Sequence, residues 1–391
     1  MPQLKTNLIN QINQYLPQMK PSAIRAFDEE VSSIPDILKL TLGEPDFNVP
    51  AEIKAAGIQS IENDDSHYAA SRGTVDLRQA IADFLARKYQ VSYNPATEVV
   101  VTIGATEAIY DVIGTVINPG DEVLIPTPTF PLYEAVVAVN GGVPVFINTQ
   151  PDDFILTPAR LAATLAEHPT AKMLVLNFPS NPTGVTYSET ELADLAAVIK
   201  QHDLFVLSDE IYSELAYDAA HTSIAKLLPE QTILINGASK AYAMTGYRIG
   251  FLTGPAELVT EIAKLHQFVV TTPINSSMAA AAKAFADGDD DIAEMKQAYQ
   301  NRRDYLMKEL STLGFGVAKP EGAFYLFVKI PAQFGSDDEA FARQLAHEGK
   351  LALVPGHVFG AGGEGYVRLS YAASLEHLQL AVARLTAFIK G

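Results

Sequence analysis

The sequence predicts an α/β fold, with a large domain whose mostly parallel sheet is flanked by helices and a smaller α+β domain beside it. Three observations carry this. Short, β-branched apolar runs alternate with segments of helical spacing from residue 77 to about 275. Most of those runs are apolar at both alternating positions, as strands buried on two faces must be. The alternation then fades, and the chain, at 391 residues, is too long for one ordinary core.

Leu77, Ala80, Ile81, Phe84 and Leu85 fall at 3,4 spacing and predict one apolar helix face. Residues 99–103 predict the first strand of the sheet. They end at Gly104-Ala105-Thr106, after which Ala108, Ile109, Val112 and Ile113 return to helical spacing. Further strands are predicted at 123–125, 143–147, 173–176, 204–207, 232–235 and 249–252. Ser188 and Glu191 stand at capping-box spacing and open one intervening helix. A long helical stretch over 278–313 leads to the second domain, with strands predicted at 324–328, 351–354 and 366–370. The predicted division is 46–275 for the large domain and 1–45 with 276–391 for the small one, the first 40 or so residues packing back onto the latter.

Composition narrows the partners. The 28 Lys+Arg against 46 Asp+Glu give a formal charge of -18, which opposes binding to nucleic acid or anionic membranes. An anionic ligand would have to be met by locally placed cations, which gives individual arginines weight. The longest apolar-looking run, 99–117, contains Glu107 and Asp111 and so argues against a membrane span. Residues 1–20 lack the apolar stretch of a signal peptide, and a soluble cytoplasmic protein is expected. Zero cysteines remove disulfides, thiol catalysis and cysteine-ligated metals. The eight histidines form no HExxH pair, and His202, His347 and His377 sit where helix ends or exposed faces are expected, so no metal site is predicted.

In open parallel sheets ligands bind outside the carboxyl ends of the strands. Four predicted strands end in polar residues: Gly104-Ala105-Thr106, then Asn177, then Ser208-Asp209-Glu210, and lastly Asn236 with Ser239-Lys240 just beyond. If these strands are neighbours, one crevice receives a helix N-terminus suited to phosphate, an amide, a carboxylate and a lysine. That inventory suits pyridoxal phosphate: its aldehyde needs a lysine amine, its ring nitrogen an acid partner, its phosphate amides and a cation. Lys240, Asp209 and Arg248 can fill those roles, with the amides of Ala105 and Thr106 completing the cradle. Read in isolation, Asp209-Glu210 could equally cap a helix, and Lys240 could be a solvated surface group.

At these positions the sequence resembles the class I, fold type I aminotransferases, in the subgroup that includes bacterial aromatic and N-acetyl-diaminopimelate enzymes. The matching pieces are Gly43-Glu44-Pro45-Asp46-Phe47, Tyr68 with Gly73 and Leu77-Arg78, Asn181-Pro182-Thr183-Gly184, Ser208-Asp209-Glu210-Ile211-Tyr212, Ser239-Lys240 through Arg248, Glu321-Gly322-Ala323-Phe324-Tyr325, and Arg368. The resemblance implies that Lys240 bonds the cofactor and then moves the proton between the amino acid's α-carbon and the cofactor. It implies that Asp209 pairs with the ring nitrogen, that Tyr212 and Asn181 bond the phenolic oxygen, and that Phe130 stacks on the ring. Arg248, Ser239, Ala105 and Thr106 would hold the phosphate, joined by Tyr68 from the partner of a homodimer. Arg368 would clamp the substrate α-carboxylate two-pronged, as lysine could not, with Gly43 and Asn181 lining that place. Gly237 departs from the commonest pattern, a serine three residues before the lysine, so one phosphate contact is missing.

The activity implied is a two-stage transfer from an amino acid, aromatic by first choice, to a 2-oxo acid such as 2-oxoglutarate. N-acetyl-diaminopimelate is the second choice of donor, an aspartate or alanine preference stays open, and a β-eliminating lyase could share the fold. A cofactor-binding regulator is disfavoured, because the charge opposes DNA. Gly360, Gly362 and Gly365 spell G-x-G-x-x-G, yet a strand and not a helix is predicted after them, so they read as a flexible loop before Arg368 or a gate over the substrate.

Overall fold

The computed structural model describes residues 1–19, 21–318 and 320–391. After a two-residue strand β1 (Leu38–Lys39), all seven runs predicted between residues 99 and 252 form one seven-stranded sheet. Its members are β2 (Val99–Thr102), β3 (Glu122–Thr127), β4 (Val143–Asn148), β5 (Met173–Asn177), β6 (Phe205–Asp209), β7 (Thr232–Gly237) and β8 (Gly250–Thr253). Their order is β2-β8-β7-β6-β5-β3-β4, and β8 alone runs against the rest.

Both faces of this sheet are covered, and strand periodicity shows how. Along β5, Met173 and Val175 pack with the helices Gly104–Val116 and Ala256–Val269, while Leu174 and Leu176 pack with Pro158–Glu167 and Glu189–Ile199. Continuous apolar runs are therefore required in the middle of the sheet. The edge strand β4 is freer: Val143 and Phe146 are exposed. The helix Glu189–Ile199 opens with the predicted capping box, Ser188 accepting from the amide of Glu191 while Glu191 accepts from that of Ser188.

The second core is a four-stranded antiparallel sheet, β12-β13-β10-β9, made of β9 (Gly316–Val317), β10 (Tyr325–Lys329), β12 (Val354–Pro355) and β13 (Tyr366–Ser370), with β11 (Leu351–Ala352) paired in parallel to β1. The single strand expected at 351–354 is thus two, serving two different sheets, a change of partner that a local apolar run cannot signal. The helix expected over 278–313 is also two, Asn275–Asp287 and Asp289–Thr312. They break at Gly288, where a Cβ would lie 2.6 Å from the Tyr242 ring. Asp289, Asp290 and Asp291 then sit in the first turn of the new helix, where its dipole favours anions.

Met278, Ala281, Ala284 and Phe285 pack with Leu77, Ile81 and Phe84, so residues 276–287, expected in the small domain, lie with the large core. Phe27, Val31 and Leu40 pack with Leu345, Leu351 and Leu369 of the second core. Earlier in the chain Tyr15 instead covers Gly141, beside the large sheet. No described helix is long and apolar enough to cross a membrane.

Candidate active site

The carboxyl ends of β2, β5, β6 and β7 open onto one cavity of about 350 Å³ lying between the two cores. Asn177, Asp209, Ser239 and Lys240 all line it, as do Ala105 and Thr106. Lys240 reaches it because β7 ends at Gly237 and turns at once into the short helix Ala238–Ala241. Gly237 is extended there, and a Cβ on it would lie 2.8 Å from the Ile249 carbonyl oxygen and 2.9 Å from the Gly250 Cα, so a serine at this position has no room without a backbone shift at 249–250.

Lys240 Nζ donates to the Gly43 carbonyl at 2.6 Å and lies 5.8 and 5.7 Å from the ring centres of Tyr212 and Phe324. Burial pulls its pKa down to about 8, against the pull of Glu44 upward and with help from Arg248 and Arg368. Asp209 accepts from the Tyr133 hydroxyl at 2.7 Å and from the Ile211 amide at 3.2 Å. Burial pushes its pKa up to about 6 although both bonds oppose this. At neutral pH it is a carboxylate whose desolvated charge invites a cation. Tyr212 and Tyr325 share a hydroxyl contact at 2.8 Å.

At one end of the cavity the helix Gly104–Val116 begins with no capping side chain, so its first amides face the cavity without intrahelical partners. Arg248 closes over this end from a left-handed backbone position (φ 56°), Nη1 donating to the Thr245 carbonyl at 3.0 Å. A Cβ on Gly104 (φ 74°) would lie 2.3 Å from Arg248 Nη2, so only glycine lets the guanidinium come this close. Amides, Ser239 and a guanidinium together are a donor set for a phosphate.

At the other end Arg368 is 2% exposed. Its Nη1 donates to Asn181 Oδ1 at 2.8 Å and its Nη2 to the Thr41 carbonyl at 2.5 Å, and it lies 4.6 Å over the Tyr325 ring. Its Nε is buried with no acceptor. A buried arginine without a carboxylate partner is costly alone, which fits a site awaiting an anion. Gly43 fits the same corner: a Cβ there would lie 2.0 Å from the Tyr325 hydroxyl. An amine, an acid, a phosphate cradle and Phe130 as apolar wall thus surround one space, and the residues fit the cofactor expected from the sequence.

Some expected members stand elsewhere. Tyr68 is 86% exposed and lines a separate cleft with Ile61, His67 and Ile274. Asn236 turns away to bond Ser213 at 2.9 Å. Glu210 is buried in its own network, accepting from Ser208 and Ser223 and lying 2.7 Å from His221 Nε2. Residues 360–365 form no helix; Gly360, Gly362 and Gly365 have φ of 94°, 84° and 77°, and the Gly365 amide donates to Asp338 at 3.1 Å. None of them lines the cavity in this conformation.

Sequence reasoning missed Ser22, Arg25 and Tyr133 and gave Tyr325, quoted only as part of a matching piece, no role at the site; all four line the cavity. Tyr133 stands three residues after Phe130, in the first turn of the helix Leu132–Val139. Ser22 and Arg25, almost 190 residues before Asp209, carried no signal. Also missed was a buried group of Glu107, Asp111 and His266, whose ligand-type atoms lie within 4.8 Å of one another.

Residues 35–385 match the family described as aminotransferase class I and II. The chain is 42% identical over 372 residues to a probable N-acetyl-LL-diaminopimelate aminotransferase of Bacillus subtilis, covering 95% of this chain and 94% of that protein. It resembles the solved aromatic aminotransferase of Pyrococcus horikoshii (TM-score 0.87, 36% identity, 93% of this chain and 98% of that one). It also resembles the aspartate aminotransferase of Thermus thermophilus solved with maleate (TM-score 0.91, 34% identity, 99% and 100%).

Proposed function

Since the chain belongs to the class I and II aminotransferases, which move amino groups with pyridoxal 5'-phosphate, we propose that it transfers the amino group of aromatic L-amino acids to a 2-oxo acid such as 2-oxoglutarate. The observation that carries the assignment of roles is the buried Lys240 amine in one cavity with Asp209 and with Arg368, whose Nε has no acceptor. When bound, the cofactor supplies an electron-accepting ring that lets the C–H bond beside the substrate nitrogen break at neutral pH. Lys240 Nζ holds the cofactor between turnovers and moves the proton at the substrate α-carbon. Asp209 keeps the ring nitrogen protonated, and Tyr212 with Asn181 holds the phenolic oxygen beside the Phe130 wall. Arg248, Ser239, Ala105 and Thr106 hold the phosphate. Arg368, with Gly43 and Asn181, orients the α-carboxylate of donor and acceptor alike. Ile24, Leu42, Ile109 and Leu132 on the cavity wall support an aromatic donor. The test is the visible band of the purified protein: it should bleach with phenylalanine and return with 2-oxoglutarate, and a band indifferent to phenylalanine would count against this donor.

Arg25 favours a second reading. It is exposed, lines the cavity from the helix Ala23–Val31 and makes no described ion pair, so a substrate with a distal carboxylate, as in the N-acetyl-diaminopimelate named for one relative, has a partner there. Even with aromatic donors the acceptor 2-oxoglutarate would use it. Arg25→Ala is expected to raise KM for 2-oxoglutarate up to about fivefold, the ~1 kcal/mol of an exposed ion pair, and to leave kcat/KM for phenylalanine unchanged. Steady-state kinetics varying each substrate separately checks this, and N-acetyl-diaminopimelate turnover that falls with Arg25→Ala would favour the second reading.

We further propose a cytoplasmic homodimer, built of a large domain and a small one that includes both chain ends, in which Tyr68 of the partner subunit reaches the phosphate. Its support is the exposure of Ile58, Ile61, Tyr68, Phe268, Val269 and Ile274, of which Ile61, Tyr68 and Ile274 line one cleft; exposed apolar groupings mark interfaces. Sedimentation should give about twice the 42.2 kDa of the chain, and a fully active monomer at micromolar concentration would refute it.

A further inference from the structure

The site described above makes no use of His266, Glu107 and Asp111, yet this group touches two of its parts. His266 is wholly buried on the helix Ala256–Val269. Its Nδ1 lies 2.8 Å from Glu107 Oε1 and 3.2 Å from Asp111 Oδ2, and its Nε2 lies 2.9 Å from the Ser71 carbonyl oxygen. A carbonyl only accepts, so Nε2 carries a proton; Nδ1 between two carboxylates carries one too, and the ring is an imidazolium. Burial works against that charge, but the bonds to Asp111 and Glu107 outweigh it and raise the pKa to about 9.

Each partner leads to a phosphate element. Glu107 is in the first turn of the helix whose amides at Ala105 and Thr106 face the cavity, and its second oxygen accepts from the Ile103 amide that leads into that helix. Ser71 belongs to the segment 66–73 that carries Tyr68. The same segment is pinned to β2, the Val101 amide donating to the Arg72 carbonyl at 3.0 Å and a Cβ on Gly73 (φ 93°) meeting Val101 at 2.5 Å. Asp111 Oδ1 is buried without a partner, so this carboxylate depends on the imidazolium for compensation.

We propose that His266 is a positioning residue, a buried cationic clamp that sets the cradle helix and the Tyr68 segment in one register, so that the helix presents its amides to the phosphate of its own subunit while Tyr68 is held in place to reach that of the partner subunit. This rests on the phosphate roles assigned above. Charge arithmetic separates it from simple packing. The three groups carry a net charge of -1; His266→Gln would leave -2 in a buried place, and the double variant His266→Gln/Asp111→Asn would return it to -1.

The experiment follows cofactor loss from full-length holoenzyme during dialysis against phosphate, read as decay of the visible band, beside the thermal midpoint. H266Q should lose cofactor about tenfold faster than wild type, a fraction of the cost of uncompensated buried charge. The double variant should recover most of that loss, a rescue that a merely space-filling histidine would not show. Equal rates in wild type and H266Q, or no rescue in the double variant, overturn the proposal. So does a stoichiometric metal ion in wild type that H266Q lacks, since the group would then be a ligand set. Should H266Q fail to fold, retention in the double variant at the wild-type rate supports the clamp and rapid loss refutes it. A wild-type protein with no visible band overturns the cofactor assignment itself, an outcome distinguishable from the others.

Discussion

Replacing Lys240 with alanine is expected to cut turnover by at least about 10⁴-fold, the upper range for removal of a positioned proton-transfer group, and to leave the fold intact. Among the described residues no second lysine lines the cavity, so none of them can take over at the α-carbon. The fold should tolerate the change because Lys240 contributes little that is irreplaceable in packing. Its amine makes one described bond, to the Gly43 carbonyl, worth about 1 kcal/mol net, and its removal also lifts the cost of a buried ammonium. Assays with phenylalanine and 2-oxoglutarate, a thermal melt and a visible spectrum together check this; a Lys240→Ala protein transaminating at wild-type rate would sink the assignment. The depressed pKa of about 8 adds a pH signature in cofactor-free protein. Only the neutral amine is a nucleophile, so cofactor uptake should quicken about tenfold between pH 7 and pH 9 as the proton leaves.

Much of this architecture was legible because its signals are local. A run such as Leu174 to Leu176 must be apolar at every position when both sheet faces are covered, and the carboxyl end of such a run points to the ligand side of the sheet. What the sequence could not disclose is non-local or a matter of side-chain direction. Asp209 and Glu210 are adjacent, and strand alternation alone sends one into the cavity and the other into the His221 network. Asn236 meets the same fate beside Lys240. Glu107 and Asp111, read as polar interruptions of an apolar run, are polar for a partner 155 residues away or more, His266. Gly288 and its three aspartates did carry a local signal for a helix break that helical periodicity overrode.

The charge balance takes on a different meaning at the site. A chain of net charge -18 nonetheless lines one cavity with Arg25, Lys240, Arg248 and Arg368 against Glu44 and Asp209. The acidic surface discourages polyanions, while the interior of the cavity attracts small anions such as phosphate and carboxylates, which are focused by its low-dielectric walls. Selectivity for size is thereby built into the distribution of charge.

Asp209→Ala should retain some cofactor through the phosphate cradle and Arg248 but lose about 10²–10³-fold in turnover, the usual effect of deleting one preorganised electrostatic partner. The alanine also strands the Tyr133 hydroxyl, which now donates to Asp209 at 2.7 Å, and an unpaired buried hydroxyl costs about 1–3 kcal/mol. Asp209→Asn separates the two effects. It keeps an acceptor for Tyr133 and fills the same space, so its stability should stay near wild type while its rate falls as far as that of the alanine variant. If rate is instead recovered by asparagine, Asp209 acts through packing and its pairing with the ring nitrogen is wrong. The pH profile gives an independent reading. Burial raises the Asp209 pKa to about 6 without the cofactor, and a cation held against the carboxylate would lower it. The group is therefore ionised at neutral pH and is protonated only as pH falls to 6 or below. Wild-type turnover should drop along an acid limb in that range, and the Asp209→Asn variant, with no proton to gain there, should lack that limb.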